Sequence, residues 1–279
     1  ERIRIFYDFY RVGEEDIFKF DIKEFMKKGH DFKDYICPDT FEFKSDYFKM
    51  GDRYGRVLYL KEYATYLKDD IASELTELNK NMMLSIDIKP MPIEFTKKRV
   101  DLTKQYIKNS YGLDVKDISI IPKIIIIHHT ASDNLIESFN RLNPEILLSD
   151  RKDITNAGNL NVSAQFLVDF DGTIYSLMPE TYMARHVIGL NLSSIGIENV
   201  GGNKKSLTAE QLKANIELVK YLKEKYKTIE YLIGHYEYQN FEKHPLFLEK
   251  NPNYRTIKHD PSVEFMQNLR GNFLDLKSN

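Results

Sequence analysis

The sequence predicts an α/β (α+β) protein: a central mixed β-sheet flanked by helices, preceded by a small α+β N-terminal segment. Three observations predict it. Residues 124–127 are four consecutive isoleucines, too apolar for a half-exposed strand and suited to one buried on both faces. The stretch SAQFLVDFDGTIYSL, residues 163–177, reads as a hairpin turning at Asp171-Gly172, a strong turn signal. A capped amphipathic helix over residues 207–226 leads directly into an apolar strand, IEYLIG, at 229–234.

From the N-terminus, the first fifty or so residues are dense in Phe, Tyr, Asp and Lys and show no clear period. Residues 56–63 then read as a strand, 65–78 as a helix and 81–89 as a second strand, a short β-α-β piece. Pro90 and Pro92 interrupt the strand-like run IKPMPIEFTKKRV, and a domain boundary is expected near residue 95. That divides the chain into residues 1–95 and 96–279. In the second part, residues 123–128 form a strand and 163–177 the hairpin. In SSIGIENVGG, residues 193–202, alternation sends Ile195, Ile197 and Asn199 to one face and Gly196 and Glu198 to the other. The helix at 207–226 opens on a capping box, Thr208 with Gln211, and Leu207 can staple against Leu212. Leu212, Ile216 and Val219 give it a buried face. A last helix is expected to open at Asp260-Pro261, with proline at its first position.

The bulk numbers exclude several classes. Forty basic and 42 acidic residues leave a net charge of −2, so there is no footprint for nucleic acid and no polybasic membrane anchor. No apolar run approaches the ~18–20 residues of a membrane span. Cys37 is the single cysteine, which excludes an intrachain disulfide and a thiolate metal cage. The first residues, ERIRIFYDFYRVGEED, lack the apolar stretch of a signal peptide.

Two apolar strands run straight into a histidine, at His128 and at His235. Strand-terminal histidines can meet at one edge of a sheet, where clefts lie. Catalytic zinc keeps three protein ligands, so a third is needed. Asp260, in TIKHDPS, can supply an oxygen, although Asp before Pro is also an ordinary helix N-cap. His244 and His259 compete for the same role. Lys258 would point the same way as Asp260 if the segment is extended. Glu198, in a glycine-flanked apolar strand, is either an ion-paired or exposed edge carboxylate or a general base. In a regular strand His128 and His129 face opposite ways, so only one can join the ligand set.

HHTAS, NVSAQFLVDFDGTIY, MARHVIGLN, SIGIENVGG, IGHYEYQ and RTIKHDP follow one another in this order. Together they resemble zinc-dependent N-acetylmuramoyl-L-alanine amidases of the type-2 superfamily, which includes phage endolysins and peptidoglycan recognition proteins. The resemblance covers about residues 95–275. It implies one zinc ion in a surface groove, held by His128, His235 and Asp260, with Lys258 and Glu198 as catalytic groups. His129 is left to packing or support. His186 and Asn191 fall where the family often contacts the muropeptide. The implied reaction is hydrolysis, by zinc-activated water, of the amide between the lactyl group of N-acetylmuramic acid and L-alanine. The partner is then peptidoglycan or a muropeptide, which favours the cell envelope, periplasm or exterior. A non-catalytic peptidoglycan-binding module is the competing reading. Two departures stand out: Ala164-Gln165 replaces the Tyr-His of some phage relatives, and the aromatic stretch between His235 and Asp260 is long enough to form a groove wall or lid.

Residues 1–95 resemble an N-terminal segment of traffic ATPases of conjugative type IV secretion systems. No G-x-x-x-x-G-K-[ST] phosphate loop is present, so no ATP hydrolysis is expected. The resemblance implies conjugation or secretion components as partners, with the chain acting as an amidase accessory.

Overall fold

The computed structural model describes residues 86–278. The strand and helix expected at 56–63 and 65–78, and the secretion-ATPase-like segment up to residue 85, lie outside the described residues.

Six strands form one mixed sheet in the order β1-β4-β3-β5-β2-β6. They are β1 (Ile88–Pro90), β2 (Ile124–His129), β3 (Phe166–Val168), β4 (Ile174–Ser176), β5 (Ser194–Asn199) and β6 (Tyr231–Gly234). Only the β3–β4 pair is antiparallel. It is the hairpin expected at 163–177: Gly172 adopts φ 84° at the turn, and Asp171 accepts a hydrogen bond from the Thr173 amide. The sheet also takes in residues before the expected boundary. Ile88–Pro90 pairs with β4, and Ile93 is buried beside Leu177, so the seam at residue 95 falls inside this unit.

The isoleucine run fills the centre of the sheet. Ile124, Ile125, Ile126 and Ile127 are all fully buried, because β2 is flanked by β5 and β6 and covered on both faces. Burying four such side chains contributes roughly 1.5–3 kcal/mol each before the entropy of ordering is counted.

Among the described residues four α-helices accompany the sheet: α1 (Lys97–Tyr106), α2 (Leu135–Leu142), α3 (Ala209–Lys225) and α4 (Val263–Arg270). A π-helical turn, Ile107–Tyr111, continues α1 and ends at Gly112 with φ 68°. Its wider turn brings Tyr106 and Tyr111 to the same buried partner, Asn191.

The expected capping box of α3 is present, with Thr208 and Gln211 satisfying each other's backbone amides. Its buried face differs from expectation. Leu212 and Ile216 flank the interface, and the centre is Gln211, Ala214, Asn215, Leu218, Val219 and Leu222. Two polar residues occupy it because strand ends there leave carbonyls to satisfy. Gln211 donates to the Val168 and Val200 carbonyls, and Asn215 donates to Asn199 Oδ1.

The last helix also starts later than expected. Ser262, not Asp260, is the N-cap, its hydroxyl accepting from the Phe265 amide at 3.2 Å. The Asp260 carboxylate turns instead toward His235 and His128. No helix among the described residues is long and apolar enough to cross a membrane.

Candidate metal centre

Because β5, β2 and β6 are parallel, their carboxyl ends lie at one edge of the sheet, where open α/β sheets form clefts. Ile127 is level with Gly234, so the residues that follow, His128 and His235, emerge side by side. Their Nδ1 atoms are 2.9 Å apart. Asp260 Oδ2 lies 3.0 Å from His235 Nδ1 and 3.3 Å from His128 Nδ1. These spacings approach the roughly 3.3 Å between ligands on one tetrahedral ion with bonds of about 2.0–2.1 Å. His128 is 1% and His235 7% exposed, so the three donors meet away from bulk water.

Electrostatics leaves His235 and Asp260 in the form a metal needs. Burial and the neighbouring His128 push His235 down to about 4, so its imidazole is neutral at pH 7. Burial opposes the charge of Asp260, but the His235 and His128 imidazoles outweigh it and hold the carboxyl well below the usual range. Three donor atoms crowded together without a cation repel one another, and two imidazole nitrogens with one carboxylate oxygen suit zinc. Neither competing histidine joins them. His244 bonds the Tyr231 hydroxyl at 3.2 Å, and His259 is exposed.

Glu198 is the register partner of His128 on the adjacent strand, so both side chains leave the sheet on the same face. Its Oε2 is buried with no hydrogen-bond partner. Burial raises its pKa to about 7, with His128 and Lys258 pulling it down and Asp260 pushing it up. The ion-paired edge carboxylate is therefore not what the strand builds: Glu198 is poised to gain or lose a proton near neutrality.

The segment before α4 alternates as TIKHDP implied. Tyr254, Thr256, Lys258 and Asp260 line the groove, while Ile257 is 80% exposed and His259 also faces out. The Tyr238 hydroxyl pins this wall, accepting from the Thr256 amide at 2.9 Å and donating to the Thr256 carbonyl at 2.8 Å. The aromatic insertion thus contributes chiefly to the core. Tyr238 and Phe241 are buried, Phe247 covers Gly189, and Tyr254 supplies groove wall. The groove measures about 1120 Å³.

His186 and Asn191 are placed differently from a pair of substrate contacts. Asn191 is fully buried and does not line the groove. Its Oδ1 accepts from the amides of His186 and Val187, and its Nδ2 donates to the Tyr106 and Tyr111 hydroxyls. His186 does line the groove, with its Nδ1 2.9 Å from His128 Nε2. His129 stays out of the ligand triangle and packs against the backbone of Gly202, where a Cβ would lie 2.0 Å from its Nδ1.

Sequence reasoning missed Arg185 and Ser194. Arg185 is 3% exposed and ties three carbonyls, of Ile154, Gly158 and Leu160, to the Tyr254 hydroxyl, with Tyr106 against its guanidinium. Its position beside His186 in ARHV was a signal, but nothing local distinguishes it from a surface arginine.

No curated protein matches the chain. Among solved structures, the chain is similar to the N-acetylmuramoyl-L-alanine amidase LysC from Clostridium intestinale URNW, with 21% identity over 68% of this chain and 100% of that one, at a TM-score of 0.42. An AmpD derivative aligns at 18% identity over 68% of this chain and 96% of the other, with a TM-score of 0.44. The bumblebee peptidoglycan recognition protein PGRP-SA aligns at 22% identity over 59% and 91%, with a TM-score of 0.39. The N-acetylmuramoyl-L-alanine amidase family model matches residues 119–259, just over half of the chain and the span that holds every strand from β2 to β6. The chain belongs to the N-acetylmuramoyl-L-alanine amidase family.

Proposed function

We propose that the protein is a zinc-dependent peptidoglycan amidase that cleaves the bond between the lactyl group of N-acetylmuramic acid and the L-alanine of the stem peptide. The observation that carries this reading is the meeting of His128, His235 and Asp260 beside a carboxylate with a pKa near 7, in one open groove. A binding-only module has no use for that set, and all three ligand positions are filled by residues that bind zinc.

His128, His235 and Asp260 would hold the ion. When bound, zinc supplies Lewis-acid chemistry, polarising the scissile carbonyl and making water more acidic. Glu198 accepts a proton from the attacking water as its oxygen adds to the lactyl carbonyl carbon. As the carbon–nitrogen bond breaks, Glu198 returns that proton to the departing alanine nitrogen. Water is thus divided between the new carboxyl and the new amine. Lys258, on the same wall as Asp260, stabilises the negative oxygen of the tetrahedral state, a role typically worth about 3 kcal/mol.

Mass spectrometry of muropeptides digested with and without a chelator tests the reading. The expected product pair is a lactyl carboxylate and a free L-alanine amine, both lost on chelation and regained with zinc. Cleavage at another bond, or undiminished cleavage in chelator, would sink it.

A further inference from the structure

We infer that His186 is a positioning residue: backed by Ser194, it fixes His128 in the tautomer whose Nε2 carries the proton, so that Nδ1 presents a lone pair to His235 and Asp260. The inference rests on the proposed metal role of those three residues and adds a determinant of metal affinity outside them.

The direction of each hydrogen bond follows from the one before. Ser194 Oγ lies 2.9 Å from the Leu190 carbonyl oxygen. Two oxygens at that distance need a proton between them, and the carbonyl has none, so the serine hydroxyl donates. Ser194 Oγ then meets His186 Nε2, at 3.1 Å, as an acceptor, which places a proton on Nε2. With one proton placed on Nε2 and the ring only 8% exposed, burial disfavours a second proton on Nδ1. Its Nδ1 is therefore an acceptor. Facing it at 2.9 Å is His128 Nε2, which must donate. The proton of His128 is thereby held on the side away from the triangle, and Nδ1 is left bare.

The fold holds His186 in this pose from two sides. Asn191 clamps its backbone amide and the next one, at 3.0 and 2.9 Å. Gly196 makes room for the ring: a Cβ there would sit 2.8 Å from His186 Cγ. The glycine of SIGIE is thus explained by the histidine of ARHV. A merely space-filling core histidine requires none of this directionality. Metal-ligating histidines generally have such a partner on their second nitrogen, and its loss weakens metal binding ~10–100-fold.

Two measurements test this together. In metal-free wild-type protein, long-range proton–nitrogen NMR of labelled histidine should show His128 protonated at Nε2. Zinc affinity, read by competition with a chromophoric chelator, should fall ~10–100-fold in His186→Phe, which fills the space without an acceptor. His186→Gln, whose amide oxygen can take the same proton, should recover most of that loss. A His128 protonated at Nδ1, or a His186→Phe protein that binds zinc as tightly as wild type, would overturn the inference. Should His186→Phe fail to fold, the tautomer in the wild type and the affinity of His186→Gln still decide it. Wild-type protein that binds no zinc would instead refute the metal reading, while the tautomer remains a separate test of the relay.

Discussion

His128 and Glu198 are register partners on adjacent parallel strands, and one side of that pair faces two further metal-type donors while the other ends in an unpartnered carboxylate oxygen. The pairing sets the proposed ligand and the proposed proton carrier on the same face of the sheet without any loop to position them. Their roles can be separated. Glu198→Gln keeps the size and polarity of the side chain and removes its ability to take a proton. It should retain zinc at wild-type stoichiometry and lose ~10²–10⁴-fold in kcat. Loss of zinc in this variant would make Glu198 a ligand instead.

The same carboxylate carries a stability signature. The folded pKa of Glu198 is about 7, against an ordinary 4.5. Between those values the folded metal-free chain keeps a proton that the unfolded chain has released, so this group makes stability fall as pH rises through that window. Above it the penalty is complete, roughly 3 kcal/mol. Urea unfolding of metal-free protein should show Glu198→Gln gaining on wild type as pH rises from about 4.5 to about 8. A difference between the two proteins that does not change with pH contradicts the buried, uncompensated carboxylate.

Lys258 lines the groove two residues before Asp260, on the same side of an extended segment. Lys258→Met should lower kcat/KM by ~10²-fold or more at unchanged zinc content, the size expected for one lost oxyanion donor. Lys258→Arg should restore part of it. Wild-type kinetics in Lys258→Met would remove the lysine from the reaction.

Asn191→Ala should destabilise the fold by roughly 2–5 kcal/mol, since two buried backbone amides lose their acceptor. Thermal or urea melts read this directly. A substrate contact would behave differently, raising KM while leaving the melt unchanged.

Much of this was legible in the residues. Periodicity and turn chemistry place β2, the hairpin, α3 and β6, because each carries a local signal: the isoleucine run, Asp171-Gly172, the Thr208–Gln211 box and YLIG before His235. Helices α1 and α2 went unseen: α1 buries Arg99 and Thr103 with Tyr106 rather than an apolar stripe, and α2 is only eight residues long. The misplaced start of α4 and the shifted centre of the buried face of α3 share a cause. In both, polar side chains take tertiary partners that propensity cannot see: Asp260 turns to two histidines, and Gln211 and Asn215 turn to strand ends. Asn191 deceived for the same reason, since a motif position near a groove does not say whether its side chain faces substrate or core. The ligand set depends on strand register, and register is a property of pairing that no single segment carries.

The proposed reaction requires one ion held by His128, His235 and Asp260. Elemental analysis and muropeptide turnover, measured on the same samples of wild type and Asp260→Ala, test it most directly. Wild type should carry about one zinc per chain and cleave, and Asp260→Ala should lose both together. A folded Asp260→Ala protein that keeps its zinc, or cleaves at the wild-type rate without it, would contradict the account.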